Sequence, residues 1–169
     1  MRNSFSRAAL ALLLLICGCV QTTEHTASSG ITIDQSLTYG RGLDNQIAKA
    51  REAVRENPAD PAPHYLLAKA YLMRNNLDAA ETEFRAIVKL SPDSAGGYYE
   101  LARIRASRGD DANALTLLSR AIELKPEFPE AHHAISRVYE RLGNADKARI
   151  HYEIYLDLLE KRKAEKLGS

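Results

Sequence analysis

The sequence predicts an all-α protein in which helix-turn-helix units stack in a row. Three observations carry that reading. Pro58, Pro92 and Pro126 recur every 34 residues, as do Ala80, Ala114 and Ala148, and a fixed period of this size marks an architecture in which each unit covers its neighbour's apolar face. Ala68, Ala102 and Ser136 keep the spacing with small side chains, each preceded by an aliphatic residue, Leu67, Leu101 and Ile135. Gly109 and Gly143 share a further column with Asn75, and Gly and Asn are the residues that best tolerate left-handed backbone.

At the N-terminus, Arg2 and Arg7 precede an apolar run from Ala8 to Cys17. That is about half the length a helix needs to cross a bilayer core, and it fits the apolar part of an export signal. The run ends in Ile16-Cys17-Gly18-Cys19, which resembles the lipobox of bacterial lipoproteins. Gly18 is small enough to precede the cleavage site, whereas Ile16 is too large to serve Cys17 in that way. The resemblance implies that residues 1–18 are a signal peptide and that Cys19 is lipidated, with palmitate or a similar acyl group tying the mature chain to a membrane. Several acyl chains anchor firmly where one is marginal. Val20 stands where an aspartate would have resembled an inner-membrane retention signal, so the expected location is the cell envelope, on the periplasmic face of the outer membrane in a Gram-negative organism.

Residues 19–42 are rich in Thr and Ser and show no helical apolar period; they read as the lipidated N-terminus and a flexible tether. Residues 43–60 read as an N-terminal capping helix, with Ile47, Ala50, Ala53 and Val54 on one face. Three units follow, at 61–94, 95–128 and 129–169. In the first, Pro61 and Pro63 suit an initial helical turn. Helix A runs to about Arg74, Asn75-Asn76 turn the chain, helix B spans Asp78 to Leu90, and Pro92 stops it. Leu67, Tyr71, Phe84, Ile87 and Val88 fill the seam at helical spacing. Arg105 stands where Tyr71 and Tyr139 pack in the other units, so the middle seam is expected either to be thinner or to let that arginine snorkel out. Gly96-Gly97 weaken the start of the second helix A. Glu160 replaces the closing proline, and the last helix is expected to run on to about Lys166.

Over about residues 43–162 the chain resembles the tetratricopeptide repeat family. Leu67-Ala68, Leu101-Ala102 and Ile135-Ser136 occupy the family's leucine-glycine place, the repeated alanines its small positions, and Phe84, Leu118 and Tyr152 its aromatic or leucine column. The resemblance implies a right-handed α-solenoid that binds other proteins. Together with the lipobox, the chain is similar to pilotin-like tetratricopeptide lipoproteins.

Chemistry is sparse. With 23 basic and 22 acidic side chains the formal charge is +1, which offers no net attraction for nucleic acid. There is no His-Glu-x-x-His, no Gly-rich phosphate loop and no Gly-x-Ser-x-Gly. Cys17 and Cys19 are the two cysteines, both in the export segment, so neither staples the fold. His132 and His133 are adjacent and diverge, which defeats two-histidine metal ligation from one helix face. His64 and His132 share a column with Tyr98 and read as packed, hydrogen-bonded side chains. The sequence therefore predicts no enzyme, catalytic residue, metal, cofactor or small-molecule substrate.

What remains is a groove on the A helices. Tyr65, Tyr99 and His133 form one ladder at the repeat spacing, and Lys69, Arg103 and Arg137 form a second, four residues on; Arg141 continues it in the third unit. Positions i and i+4 share a helix face, so an aromatic rail lies beside a basic one. That pairing suits a peptide or helix segment carrying acidic groups; the competing reading is an architectural tyrosine column beside a solvated face. The family's carboxylate clamp is not carried over, because Tyr65, Lys69, Glu100, Glu130 and Ala134 depart from it. The expected function is a non-catalytic, membrane-anchored scaffold that helps assemble a pilus, secretin or cell-wall complex. The alternative is a regulatory or recruiting subunit of an envelope enzyme such as a peptidoglycan hydrolase or glycosyltransferase.

Overall fold

A computed structural model describes residues 35–167, and the signal peptide, Cys19 and the tether up to residue 34 lie outside the described residues. The described part is seven α-helices: α1 (Gln35–Glu56), α2 (Pro61–Met73), α3 (Leu77–Leu90), α4 (Ala95–Ser107), α5 (Asp111–Leu124), α6 (Pro129–Arg141) and α7 (Ala145–Leu167). Side chains begin most of them by satisfying backbone N–H groups left free at a helix start. Asp60 accepts from Ala62 N at 2.9 Å, Asn76 from Ala79 N at 3.1 Å, Ser94 from Gly97 N at 3.2 Å and Asn144 from Lys147 N at 3.2 Å. α6 instead opens on Pro129, with no side-chain cap.

The three tight turns are built alike. Asn75, Gly109 and Gly143 have φ of 57°, 76° and 72°, the left-handed region the turn column requires. The next residue then reaches back into the preceding helix: Asn76 N donates to Tyr71 O at 2.9 Å, Asp110 N to Arg105 O at 3.0 Å, and Asn144 N to Tyr139 O at 2.9 Å. This closure satisfies carbonyls that the helix end would otherwise orphan.

The small-residue columns lie where paired helices touch. Ala68, Ala80, Ala102 and Ala114 are fully buried, as is Ser136, and Ala148 nearly so. Around them, Leu67, Tyr71, Phe84 and Ile87 form one apolar cluster with Leu43, Ile47 and Ala50 of α1. Leu118, Ala131, Ile135 and Val138 form a second.

Two local expectations change and a third is refined. First, α1 begins at Gln35, inside the segment read as tether. Gly40 and Gly42 each cost a helix about 1 kcal/mol, but Leu43, Ile47 and Ala50 are buried in the core. From that anchored stretch the helix extends backwards at one hydrogen bond per residue, without a new nucleation step.

Second, Arg105 neither thins the seam nor escapes to solvent. It meets Glu81 of α3 at 2.5 Å and Asp110 at 3.5 Å. Glu81 is 6% exposed and also receives Arg85 at 2.7 Å and Arg108. A buried carboxylate needs such pairing, because desolvation of an unpaired charge costs several kcal/mol.

Third, Gly97 packs at a close approach: a Cβ there would sit 2.9 Å from Val88 Cγ1 and 3.1 Å from Ser94 Oγ, whereas at Gly96 it would meet nothing within 4 Å. The two neighbouring glycines should therefore respond oppositely to alanine. Gly96→Ala is expected to raise stability by about 0.5–1 kcal/mol through helix propensity. Gly97→Ala gains the same propensity but forces a stiff β-branched side chain aside, and is expected to lower the melting temperature. Thermal denaturation followed by far-ultraviolet circular dichroism compares the two.

Candidate functional site

Between α4 and α6 lies a cleft of about 280 Å³. Its floor is small and apolar, made by Ala102, Ala106, Ala134 and Val138 with Leu118 of α5 beneath; its walls are Tyr99 and Arg103 on one side and His133, Arg137 and Arg141 on the other. The alanines keep it open: each repeat turns a short side chain inward where a longer one would fill the space. Five residues of the two sequence ladders thus converge. Tyr65 and Lys69, in the first repeat, do not line this cleft, and Cys19 is outside the described residues.

Each aromatic side chain is held by its own repeat. Tyr99 packs against Phe128 with ring centroids 5.1 Å apart, and the Arg103 guanidinium lies 5.7 Å from its ring centre. Burial pushes the Tyr99 phenol pKa up, and Arg103 opposes that shift. His133 stacks on Tyr155 at 4.8 Å and meets Tyr152 at 6.3 Å, so α7 props this wall of the cleft. Tyr65 sits edge-on to Phe84 at 6.3 Å and borders a different depression, made of Pro61, Ala62, Leu66, Ile87, Ser91 and Ser94.

The basic rail differs from its sequence reading in one respect. Lys69 Nζ lies 3.4 Å from Glu100 Oε1, and Arg103 Nη1 lies 2.8 Å from Glu100 Oε2. Glu100 is 7% exposed, so two of the three cations share one buried carboxylate. Arg141 pairs with Asp111, and that bond raises its pKa. Arg137 is exposed, lines the cleft, and has no hydrogen bond or ion pair among the described residues. At the rim, Glu130 binds Arg162 of α7 at 2.9 Å, which holds its carboxyl below the usual range. Sequence reasoning missed Glu100 as the partner of the rail. Its position three residues before Arg103 was the available signal, whereas the contact to Lys69 crosses 31 residues.

The histidine column is hydrogen-bonded. His64 Nδ1 meets Glu83 at 2.7 Å and its Nε2 meets Pro58 O at 3.2 Å. In the third repeat His132 Nε2 meets Pro126 O at 3.3 Å, and His132 Nδ1 lies 3.1 Å from His151 Nδ1. A carbonyl only accepts, so His132 carries its proton on Nε2, and His151 donates from Nδ1. Burial lowers the pKa of both rings, and for His151 the neighbouring His132 adds to the shift. Among the described residues no three His, Cys, Asp or Glu side chains gather to hold a metal. No described helix is long and apolar enough to cross a membrane.

Comparison with known proteins places the repeats in a family. Tetratricopeptide repeat profiles match residues 47–104, 102–143 and 129–158. A crystal structure of MamA superposes with a TM-score of 0.68 at 25% identity, covering 76% of each chain. TTC0263, a thermophilic TPR protein in Thermus thermophilus, gives 0.59 at 27% identity, covering 73% of this chain and 70% of that one. MamA from Desulfovibrio magneticus RS-1, at 17% identity and 0.65 over 75% and 71%, shares the fold alone. No curated protein matches the chain.

The histidine pair makes stability fall with acid. Both folded pKa values lie below the ordinary 6.5, so on acidification the unfolded chain takes up protons before the folded one. The stabilisation is fully present above pH 6.5 and is lost as the pH falls through the folded values. Urea midpoints measured between about pH 7.5 and 5.5, above the carboxylate range, are expected to decline with acid, and to decline less in His151→Phe.

Proposed function

Because residues 47–158 make the chain a tetratricopeptide repeat protein, a scaffold for protein–protein interaction, we propose that its partner docks a peptide segment in the groove of the A helices. The observation that carries this is the cleft between α4 and α6, where Tyr99 and His133 face Arg103, Arg137 and Arg141 over an apolar floor. Arg137 carries a full charge that no described side chain compensates. A carboxylate entering there gains a charge-assisted hydrogen bond without breaking an internal one. The aromatic edges supply apolar area around it.

The scaffold is non-catalytic and is held to an envelope membrane through Cys19, where it helps assemble a pilus, secretin or cell-wall complex. Support for the anchor comes from the sequence: Ile16-Cys17-Gly18-Cys19 ends the apolar run behind Arg2 and Arg7. Acyl chains contribute about 0.8 kcal/mol per buried methylene, so a multiply acylated cysteine holds a domain of this size at a membrane.

Two measurements test this reading. Arg137→Gln removes an exposed, unpaired charge, so folding should be unchanged within about 0.5 kcal/mol. Capture of the partner from detergent-solubilised membranes should fall at least about tenfold, since loss of a desolvated charge at a groove centre costs about 2–5 kcal/mol; unchanged capture would move the interface off the A helices. Cys19→Ala should leave an uncleaved precursor without label from radioactive palmitate, and equal labelling of the two proteins would end the lipoprotein assignment.

A further inference from the structure

Resting on that groove assignment, we infer that the groove is bipartite: it takes an extended partner segment with large apolar side chains at one end and carboxylates at the other. The two ends of the A-helix face differ in chemistry. On α2, Tyr65, Leu66 and Met73 are 44%, 63% and 55% exposed. Tyr65 and Leu66 border an apolar depression of about 450 Å³ with Ile87 at its base. Single exposed apolar residues are ordinary, but Tyr65 and Leu66 adjoin on the rim of one apolar depression, and such a surface marks a contact site. At the other end, the α4–α6 cleft presents Arg103, Arg137 and Arg141.

Glu100 separates the two. It lies between Lys69 and Arg103 and pairs with both, so Lys69, four residues on from Tyr65, is already engaged, whereas Arg137 is not. Charge complementarity then assigns each end its ligand. Carboxylates seat beside Arg137, and bulky apolar side chains seat on Tyr65 and Leu66. The same ion pairs show that α2 and α4 present one continuous surface, since Lys69 of α2 and Arg103 of α4 reach the same carboxylate.

Spacing sets the length of the segment. From α2 past α4 to α6 is about two helix widths, on the order of 20 Å at about 10 Å each. An extended chain covers that in about six residues at ~3.3 Å per residue.

The test uses the full chain and displayed random peptides as the probe. Enriched peptides should pair an aliphatic or aromatic cluster with Asp or Glu about six residues away. Leu66→Asn and Arg137→Gln both alter exposed side chains and should keep the helical circular dichroism signal. Each should weaken an enriched peptide about tenfold, the first at any salt concentration and the second chiefly at low salt, where charge attraction is unscreened. Enrichment of peptides lacking either end overturns the inference. If Arg137→Gln weakens binding and Leu66→Asn does not, the bipartite groove falls while the docking site stands; if neither does, or nothing enriches, both fall. Concentration-dependent dimers in sedimentation that Leu66→Asn abolishes would make the apolar end a contact between copies, and would also overturn it.

Discussion

Everything in this chain depends on how closely the two helices of each repeat approach. Ala68 faces its unit's other helix as Ala102 and Ser136 do in theirs, and Ala80, Ala114 and Ala148 answer from that partner helix. Interiors are packed like organic crystals, so a methylene added at such a point has nowhere to go. The close approach demands a tight turn, which the left-handed residues Asn75, Gly109 and Gly143 supply. It also spaces the A helices regularly, so that side chains a repeat apart line one surface. The groove follows from the alanines as directly as the core does.

The two joints between repeats solve the same packing problem with different chemistry. Between the first and second, Glu81 meets Arg105 and Arg108. One repeat later the same columns hold Leu115, Tyr139 and Leu142, and Leu115 and Tyr139 pack against the second apolar cluster. Acid and base have been exchanged for apolar partners together, which avoids the worst case of a buried charge without its mate. An ion pair of this kind is weak evidence for stability, since an apolar pair of similar volume is often as good or better. Its physical consequence is specificity of neighbour: α3 accepts a helix with arginines in those columns and disfavours one with tyrosine and leucine, which would leave Glu81 only Arg85 of its own helix.

Much of this was legible in the sequence because repetition tests itself. A proline, an alanine and a turn residue that recur in step predict helices whatever the local propensities, and Gly96-Gly97 did not interrupt α4. The columns also bring Tyr99, Arg103, His133, Arg137 and Arg141 to one face, and the structure gathers these five around one cleft. Pairing between repeats was not legible. A column shows that Lys69 and Arg103 share a surface, but their common partner Glu100 emerges only when two helices are set side by side. Likewise α1 starts early, because its extension rests on burial of Leu43 and Ile47 in the core rather than on the residues that form it.

The last described helix shows how a neighbour can govern a site that it does not line. α7 touches the cleft only through what it holds. Tyr155 stacks on His133, Arg162 takes Glu130, and His151 meets His132 one residue away from the cleft wall. Lys161 also ties Glu127, just before α6. Among the described residues α6 packs on α4, α5 and α7, and these α7 contacts hold it in place. In the neutral pair one proton already lies between the facing Nδ1 atoms, donated by His151; an added proton on His151 Nε2 leaves that bond intact, whereas one on His132 Nδ1 sets two N–H groups against each other at hydrogen-bond distance. The wall carrying His133 and Arg137 is therefore only as well placed as the α6–α7 clasp, and acid acts on that clasp before it reaches the arginines, whose charge persists throughout.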